Sequence, residues 1–276
     1  MTGLPPLARR ALTEAVGTGL LVMVVVGSGI AAQRLSTGQA GLQLLENAAA
    51  TAAGLVAIIL MVGPVSGAHL NPLVSVGDWW LGRRHRAGGA LAGSDLAAYL
   101  PAQVAGGIAG AMLANLMYDL PAVTWSTTAR SGGHLWLAEV VASAGLVLLV
   151  FALVRSGRTG YAAAAVGAYI GAACWFTSST SFANPAVTIR RMFTDTFAGI
   201  SPSSVPGFVL AQVAGLLVGV GLVLLFYPRR RAVHAAEVND VVPGWQDAPP
   251  AYPDLDAKPG GPLPGLPLPT PQGRPW

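Results

Sequence analysis

Two Asn-Pro steps stand 113 residues apart in this chain, in "GAHLNPLVS" at 67–75 and "FANPAVTIR" at 182–190, and each follows a long apolar run. Asn is a favoured helix N-cap and Pro a favoured first helical residue, so each step reads as a helix start. A helix start placed at the end of an apolar run puts irregular backbone at membrane depth. Such backbone is tolerated only where it is buried in protein or lines a watery cavity.

Composition supports the membrane setting. With 53% hydrophobic residues, 10% charged residues and a mean hydropathy of +0.56 over 276 residues, the chain is not a soluble domain. Apolar stretches near 11–32, 48–66, 94–118, 134–155, 160–178 and 205–227 each approach the ~20 residues that cross a ~30 Å hydrocarbon core. The sequence therefore predicts an all-α membrane protein with six spans. The first is too long for a signal-peptide core and contains Glu14, so it is expected to stay in the mature chain. Arg9, Arg10, Arg83, Arg84, Arg86, Arg155, Arg158 and Arg229 to Arg231 fall on one side of this topology, against Arg34, Arg130, Arg190 and Arg191 on the other. The bias puts both termini in the cytoplasm of a plasma-membrane protein. It also accounts for a pI near 9.6 without a nucleic-acid partner. A channel domain over 1–228 is expected to give way to a disordered, Pro-rich cytoplasmic tail over 229–276, which has no helical periodicity. The single cysteine, Cys174, excludes an intrachain disulfide and reads as a small apolar filler of the fifth span.

The chain is a duplication. "AQVAG" at 102–106 recurs at 211–215, and Gly106 and Gly110 recur as Gly215 and Gly219 at the same offset of 109. Gly54 and Gly167 share the 113-residue offset of Asn71 and Asn184, and Glu14 is echoed by Glu139. The halves, about 8–118 and 134–228, hold three spans each. An odd number inverts the second half relative to the first. From Asn71 to Gly82 and from Asn184 to Thr194 there are about eleven residues, roughly 16 Å of helix, or half a bilayer. Two re-entrant half-helices are expected to face each other near the midplane, with 66–70 and 179–183 offering carbonyls to a pore. Each Asn oxygen caps its helix while its amide is left to donate to a passing oxygen. Two helix starts aimed at one point repel cations, so neutral, hydroxyl-bearing solutes should pass best.

"SGAHLNPLVS" and "SFANPAVT", set in an inverted repeat of six spans, resemble the paired signatures of the major intrinsic proteins, the aquaporins and glycerol facilitators. The resemblance covers about residues 8–228 and implies a homotetramer in the lipid bilayer with a pore in each protomer. It implies that Asn71, Pro72, Leu73, Asn184, Pro185 and Ala186 form the pore motifs, and that Glu14 and Glu139 are structural carboxylates. His69 receives a structural role by the same likeness, and Gln103 and Gln212 interhelical hydrogen bonds. Two departures stand out. Leu73 replaces an Ala, on the side away from the Asn amide. Val187 stands where the family usually has its filter arginine, and Thr188 where glycerol facilitators have aspartate. Spacing from the motifs assigns the other filter positions to Thr51, Ala172 and Ser181, giving a wide, arginine-free ring. "NPAVTI" with "DTFAGI" resembles a bacterial branch associated with arsenic detoxification, which implies arsenite or methylated arsenicals as solutes. Arg190 and Arg191 leave two readings open. Either one lies over the face of Val187 at the outer mouth and makes a water-selective filter, or both face the extracellular loop, with Arg191 pairing to Asp195.

An enzyme is not expected: the sequence has no phosphate-binding loop, no His/Cys metal spacing and no nucleophile-base set. No cofactor or metal is implied. A coupled secondary transporter also uses inverted repeats and broken helices, but the spans hold only Glu14 and Glu139 as charges. A non-conducting scaffold is the third reading, which solute flux would decide.

Overall fold

The computed structural model describes residues 5–83 and 90–228. Arg84, Arg86, Arg229 to Arg231 and the Pro-rich segment 229–276 lie outside the described residues. The described residues belong to the first of two units, Met1–Arg229 and Arg230–Trp276.

All regular structure among the described residues is helical: α1 (Pro6–Leu35), α2 (Ala40–Ser66), α3 (Pro72–Arg83), α4 (Gly93–Met117), α5 (Gly133–Arg155), α6 (Ala162–Phe176), α7 (Pro185–Arg190) and α8 (Val205–Phe226). Among the described residues, α1, α2, α4, α5 and the run Pro202–Phe226 containing α8 are long and apolar enough to cross a membrane. The sixth, α6, has 15 residues and continues a 3₁₀ turn at Thr159–Tyr161; together they reach about 28 Å. α2 starts eight residues before the apolar run because its first turns are held from the side. Gln43 Nε2 donates to Ser36 O at 2.8 Å, and Ser36 Oγ to Glu46 Oε1 at 2.6 Å. Hydropathy marks the part of a helix in lipid, not the helix.

The duplicated glycines let the long helices touch backbone to backbone. A Cβ on Gly106 would fall 2.0 Å from Ala15 O, and one on Gly110 2.1 Å from Gly19 O, so α4 lies directly on α1. The second half repeats this between α8 and α5, where a Cβ on Gly215 would fall 2.7 Å from Val140 O and one on Gly219 2.8 Å from Ala144 O. Close approach of this kind brings dispersion contact without a hydrophobic drive between helices. Gly54 and Gly167 differ despite their matching positions: a Cβ on Gly54 would fall 2.9 Å from the Val24 side chain, and one on Gly167 2.8 Å from the Ala52 carbonyl.

The half-helices cross between the repeats. α3 buries Leu73 and Leu81 in a cluster with Val147, Phe151, Leu216, Val220 and Val223 of the second half. α7 in turn packs on α4 of the first half. Leu73, 2% exposed, therefore fills space between helices of the other repeat. α7 is shorter than the 184–194 expected, ending at Arg190 in a 3₁₀ turn over Arg191–Phe193. Backbone of other loops takes the carbonyls it would need to continue: Ile200 N donates to Arg191 O (3.2 Å), Ser126 N to Met192 O (2.9 Å) and Thr124 N to Phe193 O (3.1 Å).

Candidate functional site: a cavity between the repeats

The two helix starts are built alike. Asn71 Oδ1 accepts from Leu73 N at 2.9 Å, and Asn184 Oδ1 from Ala186 N and Val187 N at 3.0 and 3.2 Å. Each Asn amide also reaches across the repeat boundary: Asn71 Nδ2 donates to Ala183 O and Asn184 Nδ2 to Leu70 O, both at 2.8 Å. One N–H of each amide is thus committed, and the other N–H remains on the cavity wall.

The segments before the Asn residues carry the same strain. Ala68 and Leu70 have φ of 50° and 51°, and their counterparts Ser181 and Ala183 both have 47°. Left-handed geometry in such residues costs ~1–3 kcal/mol each and persists only when its surroundings enforce it. The enforcement comes from the two carboxylates. Glu14 accepts from His69 N (3.0 Å) and Leu70 N (2.7 Å), and Glu139 from Phe182 N and Ala183 N (both 2.9 Å). Gln103 Nε2 donates to Glu14 at 2.8 Å and to Ser75 Oγ at 3.0 Å; Gln212 Nε2 donates to Glu139 at 2.6 Å and to Thr188 Oγ1 at 2.8 Å. Both carboxylates and both glutamines are completely buried and off the cavity wall, as positioning groups would be.

A cavity of about 500 Å³ runs between the halves, with a mainly apolar wall. Asn71, Asn184, Thr51, Ser181, Val187 and His69 line it. Thr51 Oγ1 and Ser181 Oγ are buried and have no hydrogen-bond partner among the described residues. His69 both faces the cavity and is braced, Nδ1 lying 3.1 Å from Ser75 Oγ and the ring edge-on to Tyr99 at 5.6 Å.

Three expectations change. Ala172 is exposed and off the wall; the face that α6 turns to the cavity runs through Ala163, Val166, Ile170 and Cys174. Two residues along a helix are about 200° of rotation, so Ala172 points away when Cys174 points in. Counting back from Asn184 assumed a linker length that this chain does not have. Cys174 accordingly lines the cavity as well as filling the fifth helix.

Arg190 and Arg191 also part company. Arg190 is wholly buried away from the cavity, its Nη1 donating to Gln103 O at 2.6 Å. Arg191 lines the cavity, with its guanidinium carbon 3.5 Å from the centroid of the Phe182 ring and its Nε donating to Ala198 O. The pairing with Asp195 does not form, because Asp195 accepts from Thr127 N and Thr127 Oγ1 at 2.9 and 3.1 Å. Arg130, in the loop before α5, lies 5.2 Å from the Phe182 centroid and donates to Gly199 O at 2.8 Å. Burial pushes its guanidinium below the usual arginine value. Sequence reasoning missed Asn47 and Asp78, which also line the cavity; their signal was position, since Asp78 stands 113 residues before Arg191.

Residues 4–183 match the major intrinsic protein family. The chain is 50% identical over 216 residues to the aquaglyceroporin AqpS of Rhizobium meliloti (strain 1021), spanning 78% of this chain and 89% of that protein. It is 31% identical over 146 residues to the probable aquaporin NIP7-1 of Arabidopsis thaliana, 52% of this chain and 50% of the relative. To the glycerol uptake facilitator protein of Pseudomonas aeruginosa it is 30% identical over 177 residues, 56% of this chain and 60% of the relative. Among solved structures, the aquaglyceroporin from Plasmodium falciparum shares the fold, with a TM-score of 0.59, 20% identity and coverage of 80% of this chain and 95% of that one. The matched motifs, the inverted repeat and these likenesses make the chain a multi-pass membrane protein of the major intrinsic protein family.

Proposed function

We propose that this chain is a passive channel for water and small neutral solutes of glycerol size, and that its wide outer ring extends the range to arsenite or methylated arsenicals. One observation carries the reading. The cavity between the repeats has an apolar wall interrupted by the two Asn amides and by the unpartnered hydroxyls of Thr51 and Ser181. A polyol or metalloid hydroxide has apolar and hydroxyl-bearing faces that such a wall matches. Water is served by the same donors and acceptors. Val187, 6% exposed and on the wall, leaves width where an arginine would narrow it. Transport, not catalysis, is the activity.

Arg191 supports a second reading, of a more water-selective pore, because it brings a cation to the wall one helical turn beyond Val187. In this reading Arg191 alone serves; Arg190 faces α4. Both readings have cytoplasmic termini, on the basic-residue bias, and a plasma-membrane homotetramer, on the family likeness.

Purified protein in vesicles, compared with empty vesicles for water, glycerol, arsenite and a methylated arsenical, tests this directly. Glycerol and arsenical flux above background is expected, with no response to sodium or proton gradients. Uphill accumulation would overturn the channel reading, and water flux alone would favour the Arg191 filter.

A further inference from the structure

Most polar features of the cavity favour negative charge. Two helix starts meet there, each Asn amide keeps one N–H to donate, and Arg191 adds a full positive charge. A wall built only this way would repel cations and invite anions. Asp78 is the acidic residue on the wall among the described residues. It lies on α3, one turn beyond Val74, which also lines the cavity, just as Arg191 lies one turn beyond Val187. Val74 and Val187 are 113 residues apart, as are Asp78 and Arg191. In an inverted repeat, equivalent positions fall on opposite sides of the midplane. The chain thus holds a carboxylate at one mouth and a guanidinium at the other. Each is fixed by its own half: Leu91 N donates to Asp78 Oδ2 at 2.8 Å, and Arg191 is held by Ala198 O and the Phe182 ring.

We propose that Asp78 is a specificity-determining residue, the anion barrier of the pore, working opposite the cation barrier at Arg191. This rests on the reading of the cavity as a conducting path. Anions drawn by the central donors meet a fixed negative charge at one mouth, cations meet a fixed positive charge at the other, and an uncharged solute pays neither penalty. A carboxylate whose only task is to hold Leu91 N could be an amide, since an Asn oxygen accepts that bond equally well. Charge is therefore the property to test.

Nitrate leak and glycerol flux are measured on the same vesicles carrying the full chain or Asp78→Asn, Asp78→Glu or Asp78→Ser. The ratio of nitrate leak to glycerol flux is expected to rise about tenfold in Asp78→Asn and Asp78→Ser, equivalent to about 1.4 kcal/mol of barrier. Asp78→Glu, which keeps the charge, should hold the parent ratio. Nitrate leak that stays at the parent level in both neutral variants overturns the proposal, whichever of the two is recovered in better yield. A parent that passes nitrate freely overturns it too. Failure of the channel reading is separate: it shows as parent glycerol flux no greater than that of empty vesicles.

Discussion

Arg190 occupies the slot that Gly107 leaves on α4: a Cβ at position 107 would fall 1.9 Å from Nη1 and 2.0 Å from Cδ and Cζ of the arginine. The other repeat reverses the sizes. Gly77, the counterpart of Arg190, lies against Phe151 and against Leu216, the counterpart of Gly107, its virtual Cβ 2.7 Å from Phe151 Cε2 and 3.4 Å from Leu216 Cδ1. Large on the half-helix meets small on the long helix in one half, and small meets large in the other. Both sites are close-packed.

That exchange predicts a measurable coupling. Gly107→Ala overpacks a site with no spare room and is expected to cost ~1–3 kcal/mol, seen as a lower unfolding temperature in detergent. Gly107→Leu combined with Arg190→Gly places the Leu–Gly pair of the other repeat at this site and should recover part of the loss. A double-mutant cycle is expected to return at least ~1 kcal/mol of coupling; additive effects would mean the two residues do not share the space.

Asn184→Leu tests the helix start. It removes the oxygen that accepts from Ala186 N and Val187 N and the donor that ties Leu70 O across the repeats. Buried groups left unpaired cost ~1–3 kcal/mol each. Loss of stability or of glycerol flux is expected, and a variant that inserts and conducts like the parent would remove the second Asn-Pro-Ala from the pore.

Val187→Arg tests width. Arginine at this wall position should suppress glycerol or arsenical flux more than water flux, since a single oxygen needs less room than a polyol. Misfolding would lower both together, so the glycerol-to-water ratio is the quantity to measure. An unchanged ratio in a folded, inserted variant would point to Arg191, and Arg191→Ala should then widen the pore.

Cys174 offers a reporter. It is the chain's single cysteine and lines the cavity, and a Cβ on Gly171 of the same helix would fall 2.9 Å from Ala52 Cβ and 3.9 Å from Ala48 O. α2 and α6 run antiparallel, so this contact puts Cys174 near the level of Asn47, about one turn, or ~5.4 Å, from Thr51. A small methanethiosulfonate reagent added to vesicles should slow glycerol flux, and a reductant should restore it. Cys174→Ser should make the reagent ineffective. Modification confirmed by intact mass with no change in flux would place the thiol off the conducting path.

The sequence alone determined the features that depend on local chemistry and on repetition. Asn followed by Pro starts a helix wherever it stands, so both half-helices were visible, and α3 ends one residue beyond the limit read from its pattern. Apolar length marked the spans, and matched glycines marked the contacts of α1 with α4 and of α5 with α8. The matched positions of Glu14 and Glu139 pointed to a shared role, and each carboxylate accepts from the two backbone N–H groups ahead of its Asn.

What only the tertiary structure decided was direction. Whether Ala172 or Cys174 faces the cavity depends on the rotation of α6, which turns about 100° per residue, so a two-residue difference in linker length moves the cavity-facing position to the opposite face. Arg190 and Arg191 are adjacent in sequence and separate in space for the same reason. The first is taken up by the gap at Gly107, a residue on another helix, and the second by the Phe182 ring and Ala198 O. Asp78 gained meaning only when the inversion of the repeats put it opposite Arg191. Sequence spacing counts residues along one chain, whereas the wall of a cavity is chosen by contacts between helices far apart in that count.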